Sequence, residues 1–254
     1  MTAHNSVLQK STRHALDSVL NEALAATPSL TERIRLVREL IPGRITFSTS
    51  LGLEDQAVLH AIADSGAEID VFTLDTGRHF AETLGTIAES EAHYGVPIRL
   101  VHPEAGELEA LIERDGVLGF RKSLEQRKAC CNVRKVKPLS RALTGASAWI
   151  TGLRRGQSGG RLDTPFAEID HGHGLVKVSP IADWSLETLE GFVAANDVPV
   201  NPLHAQGFPS IGCSVCTRAI GPGEDIRAGR WWWESPEAKE CGLHGNSREG
   251  NRKD

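Results

Sequence analysis

Five cysteines are the residues of this chain whose pattern most narrowly limits its chemistry. Four form two close pairs, Cys130 with Cys131 and Cys213 with Cys216, and the fifth, Cys241, stands alone near the C-terminus. Two pairs of thiolates that a fold brings together are typical ligands of zinc or of an iron–sulfur cluster. An odd cysteine count argues against a disulfide framework. The pattern therefore predicts four metal ligands and one separate reactive thiol.

The tandem position of Cys130 and Cys131 favours an iron–sulfur cluster over a zinc ion. Neighbouring side chains on a regular helix diverge by about 100°, so the two sulfurs reach two corners of a cluster more easily than one small ion. A thiolate-bound cluster is anionic, and nearby cations stabilise it. Cations flank the pair at Arg127, Lys128, Arg134, Lys135 and Lys137. Most of these are equally typical of a solvent-exposed helix face, and Lys135 is the one that we expect to act on the site.

Cys241 is the candidate nucleophile. It stands three residues before His244 in a glycine-bounded stretch that we expect to be mobile. Cations or an imidazole lower the pKa of an exposed thiol and make it reactive, although an incidental surface cysteine has the same pattern. Guanidinium groups on loops suit a ligand that bears phosphate or sulfate. Four arginines stand in such positions, namely Arg154, Arg155, Arg227 and Arg230.

Two loops that follow predicted strands are candidate parts of a nucleotide site. Serine hydroxyls, a glycine and the free amides of a helix N-terminus can hold an anion, while an ordinary capped turn uses the same residues. The first loop contributes Ser48, Ser50, Leu51, Gly52, Glu54 and Asp55. The second loop contributes Asp75, Thr76, Gly77 and Arg78. Two such loops at the carboxyl ends of strands favour a nucleotide site over two unrelated turns.

The elements that would position these residues alternate along the chain. Helical periodicity in 1–43 gives way to short apolar runs separated by amphipathic stretches. This alternation predicts an α/β fold with a mostly parallel sheet flanked by helices. Strands are predicted at 44–48, 69–74, 97–101, 148–153 and 175–181, with a helix at 186–197 and a basic helical stretch at 120–143. We expect one domain overall, made of a helical lead over 1–43, a nucleotide-binding part over 44–200 and an irregular, cysteine-containing segment with a mobile tail over 201–254.

Charge and hydropathy exclude several classes of function. The formal net charge is -5, from 28 basic and 33 acidic side chains, so we expect no nucleic-acid partner and no anionic membrane surface. No apolar run of about 18 residues is present, and the N-terminus does not have the pattern of a secretory signal. We therefore expect a cytoplasmic protein with no membrane partner.

Seven motifs taken together resemble one family. They are STSLGLED, LDTGRHF, CCNVRKVKPL, GLRRGQS, CSVC, GEDIRAGRWWWE and ECGLH, spread over about residues 40–245. The chain resembles the assimilatory adenylyl-sulfate reductases, the iron–sulfur branch of the adenylyl-sulfate and phosphoadenylyl-sulfate reductase family. The resemblance implies an adenine nucleotide alpha hydrolase-like fold. It also implies reduction of adenosine 5'-phosphosulfate to sulfite and AMP in sulfate assimilation, with electrons from thioredoxin or a glutaredoxin-like thiol donor.

The resemblance also implies a role for each motif. A 4Fe-4S cluster would be bound by Cys130, Cys131, Cys213 and Cys216, with Lys135 between cluster and substrate. Cys241 would attack the sulfonate group and form an S-sulfocysteine. His244, Arg227 and Arg230 join Cys241 and Lys135 as candidate catalytic residues, and Arg154 and Arg155 would lie on the loop that closes over the substrate.

Other readings stay open. The same cysteine could act on the 3'-phosphorylated nucleotide or on both substrates, and a zinc-stapled nucleotide-binding module without redox chemistry is a distant third. A pyrophosphatase-type enzyme that uses ATP is disfavoured, because STSLGLED replaces its expected SGGxDS loop. Residues 231–233, three consecutive tryptophans, are expected to pack the C-terminal region or to dock thioredoxin.

Overall fold

The computed structural model describes residues 16–157, 159–235 and Leu243. Six strands in this part of the chain belong to one sheet: β1 (Ile45–Ser48), β2 (Asp70–Leu74), β3 (Arg99–Val101), β4 (Ala148–Ile150), β5 (Ala167–Asp170) and β6 (Leu175–Val178). Their order is β3-β2-β1-β4-β6-β5. The pairs β2–β3, β1–β4 and β4–β6 are parallel, whereas β5 runs antiparallel to β6.

Helices flank this sheet. The described part of the first helix, α1, covers residues 16–26. The others are α2 (Leu30–Leu40), α3 (Leu53–Ser65), α4 (Ala81–Tyr94), α5 (Ala105–Asp115), α6 (Leu124–Cys131), α7 (Lys137–Leu143) and α8 (Leu186–Ala195). The predicted fold class, α/β with a mostly parallel sheet flanked by helices, is confirmed. None of the described helices is both long and apolar enough to cross a membrane.

One strand was not predicted from the sequence. The five predicted strands correspond to β1, β2, β3, β4 and β6, and the predicted last helix to α8. The missed strand, β5, is last in the sheet order and alternates polar and apolar residues over its four positions. Its only strand partner among the described residues is β6, and the Asn21 side chain bonds to the amide and the carbonyl of Ala167. Such a short edge strand lacks the continuous apolar run that reveals a strand buried on both faces.

The chain forms two compact units, each built from separate stretches. The first unit contains the described residues of Met1–Thr49, Leu53–Val71 and Gly145–Val198. The second contains Ser50–Gly52, Phe72–Thr144 and the described residues of Pro199–Asp254. In the first unit, α3 packs against both α2 and α8. The division by sequence composition into 1–43, 44–200 and 201–254 stays a prediction.

In the second unit, the predicted basic helical stretch contains three kinds of helical turn. A 3-10 turn (Gly119–Arg121) precedes α6, and a π-helical turn (Asn132–Val136) joins α6 to α7. The Ser123 hydroxyl caps α6 by accepting a hydrogen bond from the Gln126 amide. Short π-helical turns inside helices recur at functional sites. This one directly follows Cys131 and contains Lys135.

A buried arginine ties together separate parts of the first unit. Arg33 of α2 is only 2% exposed. Its Nε donates to the Thr27 carbonyl at 2.6 Å, and its Nη1 donates to the Pro180 carbonyl at 2.7 Å. Nη1 and Nη2 donate to the two carboxylate oxygens of Asp183, at 2.7 and 2.9 Å. One side chain therefore satisfies acceptors that lie about 150 residues apart in the sequence.

We expect Arg33→Met to lower the free energy of unfolding by about 3 kcal/mol, because it leaves a carboxylate and two carbonyls without their charged donor. The matched control is Arg35→Met, which removes an exposed pair with Glu32 and should cost less than about 1 kcal/mol. Urea unfolding measures both variants. Equal losses would show that the buried network does not stabilise this unit.

Candidate metal centre and substrate loops

Four cysteines line one cavity in the second unit. Cys130, Cys131, Cys213 and Cys216 are all free thiols, and the cavity has an empty volume of about 360 Å³. The other lining residues are Arg78, Phe120, Arg127, Arg134, Lys135, Val215, Arg230 and Trp231. The structure thus brings together the four predicted metal ligands, and it surrounds them with cations and apolar rings.

The two cysteine pairs reach the cavity from different local structures. Cys130 and Cys131 are the last two residues of α6. Cys213 and Cys216 bracket a 3-10 turn, in which the Cys216 amide donates to the Cys213 carbonyl at 2.9 Å. The Thr217 hydroxyl donates to the same carbonyl, also at 2.9 Å. This tight turn explains how a CxxC spacing places both sulfurs on one side of the chain.

Burial raises the pKa of two of these thiols. For Cys216, burial and the neighbouring thiols of Cys213 and Cys131 raise the pKa to about 12. For Cys130, burial raises the pKa more than Arg78 and Arg134 lower it. Thiolates held close together repel one another. Neither group is therefore a thiolate at neutral pH unless a bound metal supplies positive charge.

Cys213 has the opposite tendency. Burial raises the pKa of its thiol, but the charge of Lys135 and a hydrogen bond with Thr76 together lower it below the usual range. The Cys213 sulfur and the Thr76 hydroxyl are 3.3 Å apart. The surroundings of Cys213 therefore favour its thiolate form.

The loop after β2 contacts the cysteine cavity directly. Sequence reasoning placed Asp75, Thr76, Gly77 and Arg78 at a nucleotide. In the structure, the Thr76 carbonyl accepts a hydrogen bond from Arg134 Nη1 at 2.5 Å, and the Arg78 guanidinium lies 4.6 Å from the centre of the Phe120 ring. Asp75 accepts from the Gly77 amide at 2.8 Å. Thr76 and Arg78 therefore shape the cysteine cavity, and their contact with a substrate stays a prediction.

Trp231 is part of the cavity wall. Its ring lies between two guanidinium groups, with Arg127 4.6 Å and Arg230 4.7 Å from its centre. Its side chain is 1% exposed, and its backbone φ of 41° is in the left-handed region. Packing of the C-terminal region was one of the two predicted roles of the tryptophans, and Trp231 shows that packing. Trp232 is 37% exposed.

The predicted substrate residues of the first unit are held by internal contacts. The Ser48 hydroxyl accepts a hydrogen bond from Trp149 Nε1 at 2.8 Å. Glu54 Oε1 accepts from Arg154 Nε at 2.9 Å, and the Arg154 side chain is only 3% exposed. Arg155 donates from Nε to the Thr164 carbonyl at 2.9 Å. Arg154 and Arg155 are held in place by these hydrogen bonds. They could bind an anion only through their other N–H groups.

One loop glycine, Gly152, is required by its close contacts, and another, Gly52, follows a residue with a left-handed backbone. A Cβ at Gly152 would lie 2.2 Å from an Asp55 carboxylate oxygen, so only glycine lets Asp55 pack there. Leu51, fully buried, has a φ of 58°, and Gly52 follows it at the start of α3. A buried non-glycine residue with a φ in the left-handed region indicates a backbone that its surroundings hold in place. Ser50 is exposed.

The structure describes only some of the remaining predicted catalytic residues. Arg230 lines the cavity and donates from Nη1 to the Ile211 carbonyl at 3.0 Å. Arg227 is half-buried, and its amide donates to Asp225 at 2.8 Å. Cys241 and His244 lie outside the described residues. The structure therefore describes the four predicted metal ligands, and it does not describe the predicted nucleophile.

Sequence reasoning missed the contributions of several residues to this cavity. Arg127 and Arg134 were interpreted either as cations near a cluster or as part of a solvent-exposed face, and they are 1% and 5% exposed. Phe120 and Glu234 were not considered at all. The one available signal was the charged, aromatic stretch beside each cysteine pair, and it does not show which side chains turn inward.

Residues 44–219 match the family model of the phosphoadenosine phosphosulfate reductase domain, and this chain belongs to that family. It is similar to the solved phosphoadenylyl-sulfate reductase of Candida auris in its phosphate complex, with a TM-score of 0.67 and 25% identity over 80% of this chain and 96% of the other. The fold is therefore adenine nucleotide alpha hydrolase-like, as predicted.

The curated relatives indicate a branch of this family. A protein of Sinorhizobium fredii (strain USDA 257) named adenosine 5'-phosphosulfate reductase is 54% identical over 225 residues, which is 89% of each chain. Proteins with the same name are 55% identical in Rhizobium meliloti, over 85% of this chain and 81% of the relative, and 52% identical in Allochromatium vinosum, over 79% and 78%.

We expect Thr76→Val to raise the pKa of Cys213, because the hydroxyl that stabilises its thiolate is lost. Alkylation of Cys213 in the reduced, metal-free protein should then shift to higher pH, as followed by mass spectrometry. The control is Thr46→Val, which removes a buried hydroxyl bonded to the Ala148 carbonyl. An unchanged Cys213 profile would contradict the assigned hydrogen bond.

Proposed function

We propose that this chain reduces adenosine 5'-phosphosulfate to sulfite and AMP in sulfate assimilation, as an oxidoreductase that acts on a sulfur group. The observation that carries this conclusion is the convergence of four free cysteines on one cavity in a chain that shares about half of its residues with proteins named for that reaction. The family match alone allows either nucleotide.

We further propose that Cys130, Cys131, Cys213 and Cys216 bind a 4Fe-4S cluster. Three buried donors in the cavity wall meet no acceptor among the described residues: Arg78 Nη1, Arg134 Nε and Trp231 Nε1. Buried donors without acceptors are costly, and a cluster with sulfide and thiolate acceptors would satisfy them. These donors and the surrounding cations support an anionic occupant.

The spacing of the thiols supports a cluster over a zinc ion. Among the described residues, no three His, Cys, Asp or Glu side chains converge closely enough to hold a single metal ion. The four cysteines instead all line one cavity, together with cations and aromatic rings. When bound, such a cluster would supply a compact, buried negative charge with a tunable potential. Arg78, Arg134 and Lys135 of this chain would balance that charge.

The proposed covalent chemistry belongs to Cys241. Its thiolate attacks the sulfur of the substrate's sulfonate group, the bond from that sulfur to the phosphate oxygen breaks, and AMP leaves. The enzyme then carries an S-sulfocysteine. Negative charge grows on the departing phosphate during this step, and positive side chains stabilise it. Lys135, Arg227 and Arg230, together with His244, are the candidates for this role.

A dithiol completes the cycle and balances the electrons. One thiolate of the donor attacks the Cys241 sulfur and releases sulfite, and the second donor thiol then resolves the mixed disulfide. The donor is oxidised to a disulfide while the sulfur of the substrate is reduced from sulfate to sulfite. We propose thioredoxin, or a glutaredoxin-like protein, as this donor. A reducing cytoplasm suits both the donor and the four free thiols.

The predicted substrate site consists of the two strand-end loops and the arginine loop. It would use Ser48, Ser50, Leu51, Gly52, Glu54, Asp55, Asp75, Thr76, Gly77, Arg78, Arg154 and Arg155. The anchored arginines support this assignment, because a guanidinium that is already fixed by one carboxylate or carbonyl loses little side-chain freedom when it binds an anion.

We expect the freshly purified protein to be brown, with about four iron atoms per chain. Cys216→Ser should abolish both the colour and the iron, because it removes one ligand. Cys241→Ser should keep both. Iron analysis and the visible spectrum measure this. A colourless wild-type protein that contains zinc would favour the zinc-stapled module.

The nucleophile is tested with adenosine 5'-phosphosulfate carrying labelled sulfur. We expect the wild-type protein to hold one covalent label, released as sulfite by reduced thioredoxin, and Cys241→Ser to hold none. The 3'-phosphorylated nucleotide, assayed in parallel, should react with a lower kcat/KM. Faster reaction of that nucleotide would support the alternative substrate. A covalent label in Cys241→Ser would make the nucleophile assignment wrong.

A further inference from the structure

A buried ion pair at the wall of the cysteine cavity has no part in the chemistry proposed above. Arg127 of α6 donates from Nε to one carboxylate oxygen of Glu234 at 3.0 Å and from Nη2 to the other at 2.8 Å. The two side chains are 1% and 8% exposed. Burying two charges costs much of what their attraction gains. The pair is therefore better explained by what it holds in place than by the stability that it adds.

Arg127 reaches the proposed metal centre through Cys131. Both residues line the cysteine cavity. They stand four positions apart on α6, so their side chains lie on the same face of that helix. Burial lowers the pKa of the Arg127 guanidinium, while its hydrogen bonds to Glu234 and to Cys131 raise that pKa above its usual range. An arginine N–H thus points at the sulfur of one proposed cluster ligand.

Contacts from outside α6 also fix this guanidinium. It lies 4.6 Å from the centre of the Trp231 ring. The Glu234 amide donates to the Trp231 carbonyl at 2.8 Å, and the Trp231 amide donates to the Cys216 carbonyl at 3.1 Å. The carboxylate that holds Arg127 therefore belongs to a turn that is bonded to the second cysteine pair. The place of Arg127 beside Cys131 is set from both sides of the cavity.

Glu234 also balances the charge of Arg127. Arg78, which lines the same cavity, donates instead from Nη2 to the neutral carbonyl of Val117 at 2.8 Å. Arg127 and Glu234 together carry no net charge, so the pair gives Cys131 a hydrogen bond without adding positive charge to the cavity. A hydrogen bond of this kind orients a ligating thiolate and draws electron density from its sulfur.

We propose that Arg127 is a positioning residue for the metal centre, which donates a hydrogen bond to the Cys131 sulfur and is held there by Glu234. This inference rests on the proposed function, in which Cys131 ligates a 4Fe-4S cluster. A guanidinium forms a charge-assisted hydrogen bond, which is stronger than the bond of a neutral donor. The ion pair thus serves one particular ligand of the cluster.

Three variants separate this hydrogen bond from the ion pair as such. Arg127→Met/Glu234→Gln removes the donor to Cys131 and both charges, so that no buried charge is left alone. Glu234→Gln removes only the carboxylate and keeps the donor. The control is Arg218→Met/Glu224→Gln, which removes an exposed bidentate pair of the same unit, with bonds of 2.9 and 2.7 Å and side chains that are 39% and 36% exposed.

The experiment uses the full-length chain, purified with its iron in the absence of air. The rate of iron release to a chelator measures how firmly the ligands hold the cluster. The resonance Raman bands of the iron–cysteine bonds report on the sulfurs themselves, which a purely structural role would not change. Circular dichroism of the iron-loaded protein shows whether each variant is folded.

We expect Arg127→Met/Glu234→Gln to release iron at least about tenfold faster than the wild type, because residues that orient metal ligands contribute about tenfold to a hundredfold in metal affinity. Release is faster because the Cys131 sulfur is no longer oriented or held as a thiolate. The iron–cysteine bands should move to higher frequency, because a sulfur without a donor keeps more electron density for its bond to iron. Glu234→Gln should keep the wild-type bands and release iron more slowly than the double variant. The control should match the wild type in both measurements.

Two outcomes would overturn this proposal alone. One is a folded, iron-loaded double variant with wild-type release and wild-type bands. The other is an equal band shift in Glu234→Gln, since the loss of the ion pair and not of the donor would then act on the cluster. A wild-type protein that binds no iron would instead contradict the proposed cluster, before any variant is compared.

Arg127→Lys replaces the double variant if that variant does not fold. Lysine keeps the charge beside Glu234, but it lacks the planar fork that reaches the carboxylate and the Cys131 sulfur together. We expect the same band shift to higher frequency in this variant. Unshifted bands in folded, iron-loaded Arg127→Lys would show that Arg127 does not act on Cys131.

Discussion

Four thiols that line one cavity create an electrostatic constraint on the second unit. Burial and mutual repulsion keep Cys130 and Cys216 protonated in the metal-free chain, yet metal binding requires thiolates. The surrounding residues meet this requirement with fixed positive charge. Arg78, Arg134 and Lys135 line the same cavity.

That constraint explains why residues distant in sequence share one cavity. The loop after β2 contributes the Thr76 hydroxyl and carbonyl to Cys213 and Arg134. The C-terminal segment contributes Trp231, which is held between two guanidinium groups. Each of these contacts either stabilises a thiolate or limits the motion of a cation. The cysteine cavity therefore adjoins the packing core of this region, in which Phe120, Cys131, Cys216 and Trp231 form one buried cluster.

Local sequence signals were reliable where the elements are stabilised by local interactions. The Ser29 hydroxyl caps α2 by accepting a hydrogen bond from the Glu32 amide, in a stretch that periodicity predicts to be helical. The strands buried on both faces were predicted because their residues form continuous apolar runs. The edge strand β5 was missed because its alternating residues resemble a loop. The π-helical turn at Asn132–Val136 has no sequence signature of its own, since its residues are as typical of an ordinary α-helix.

The sequence predicted which cysteines line the cavity and did not predict the residues around them. Cysteine spacing alone paired Cys130 with Cys131 and Cys213 with Cys216, because thiolate ligands are rare enough for their spacing to be informative. Arginine and lysine are common, and a basic stretch has the same composition whether its side chains face water or a metal. The buried positions of Arg127 and Arg134 therefore appear only when the helix is folded against Trp231 and Thr76.

The sequence by itself predicted the fold class, the division of the five cysteines into four proposed ligands and one separate thiol, and the family resemblance. These follow from periodicity, from spacing and from residue types with few alternative uses. Only the tertiary structure decided which cations face the thiols, that Thr76 bonds to Cys213, and that Glu234 pairs with Arg127 across 107 residues of chain. The physical reason is that charge and hydrogen bonding act through space. Their partners are chosen by the packing of whole elements, and no short stretch of sequence encodes that choice.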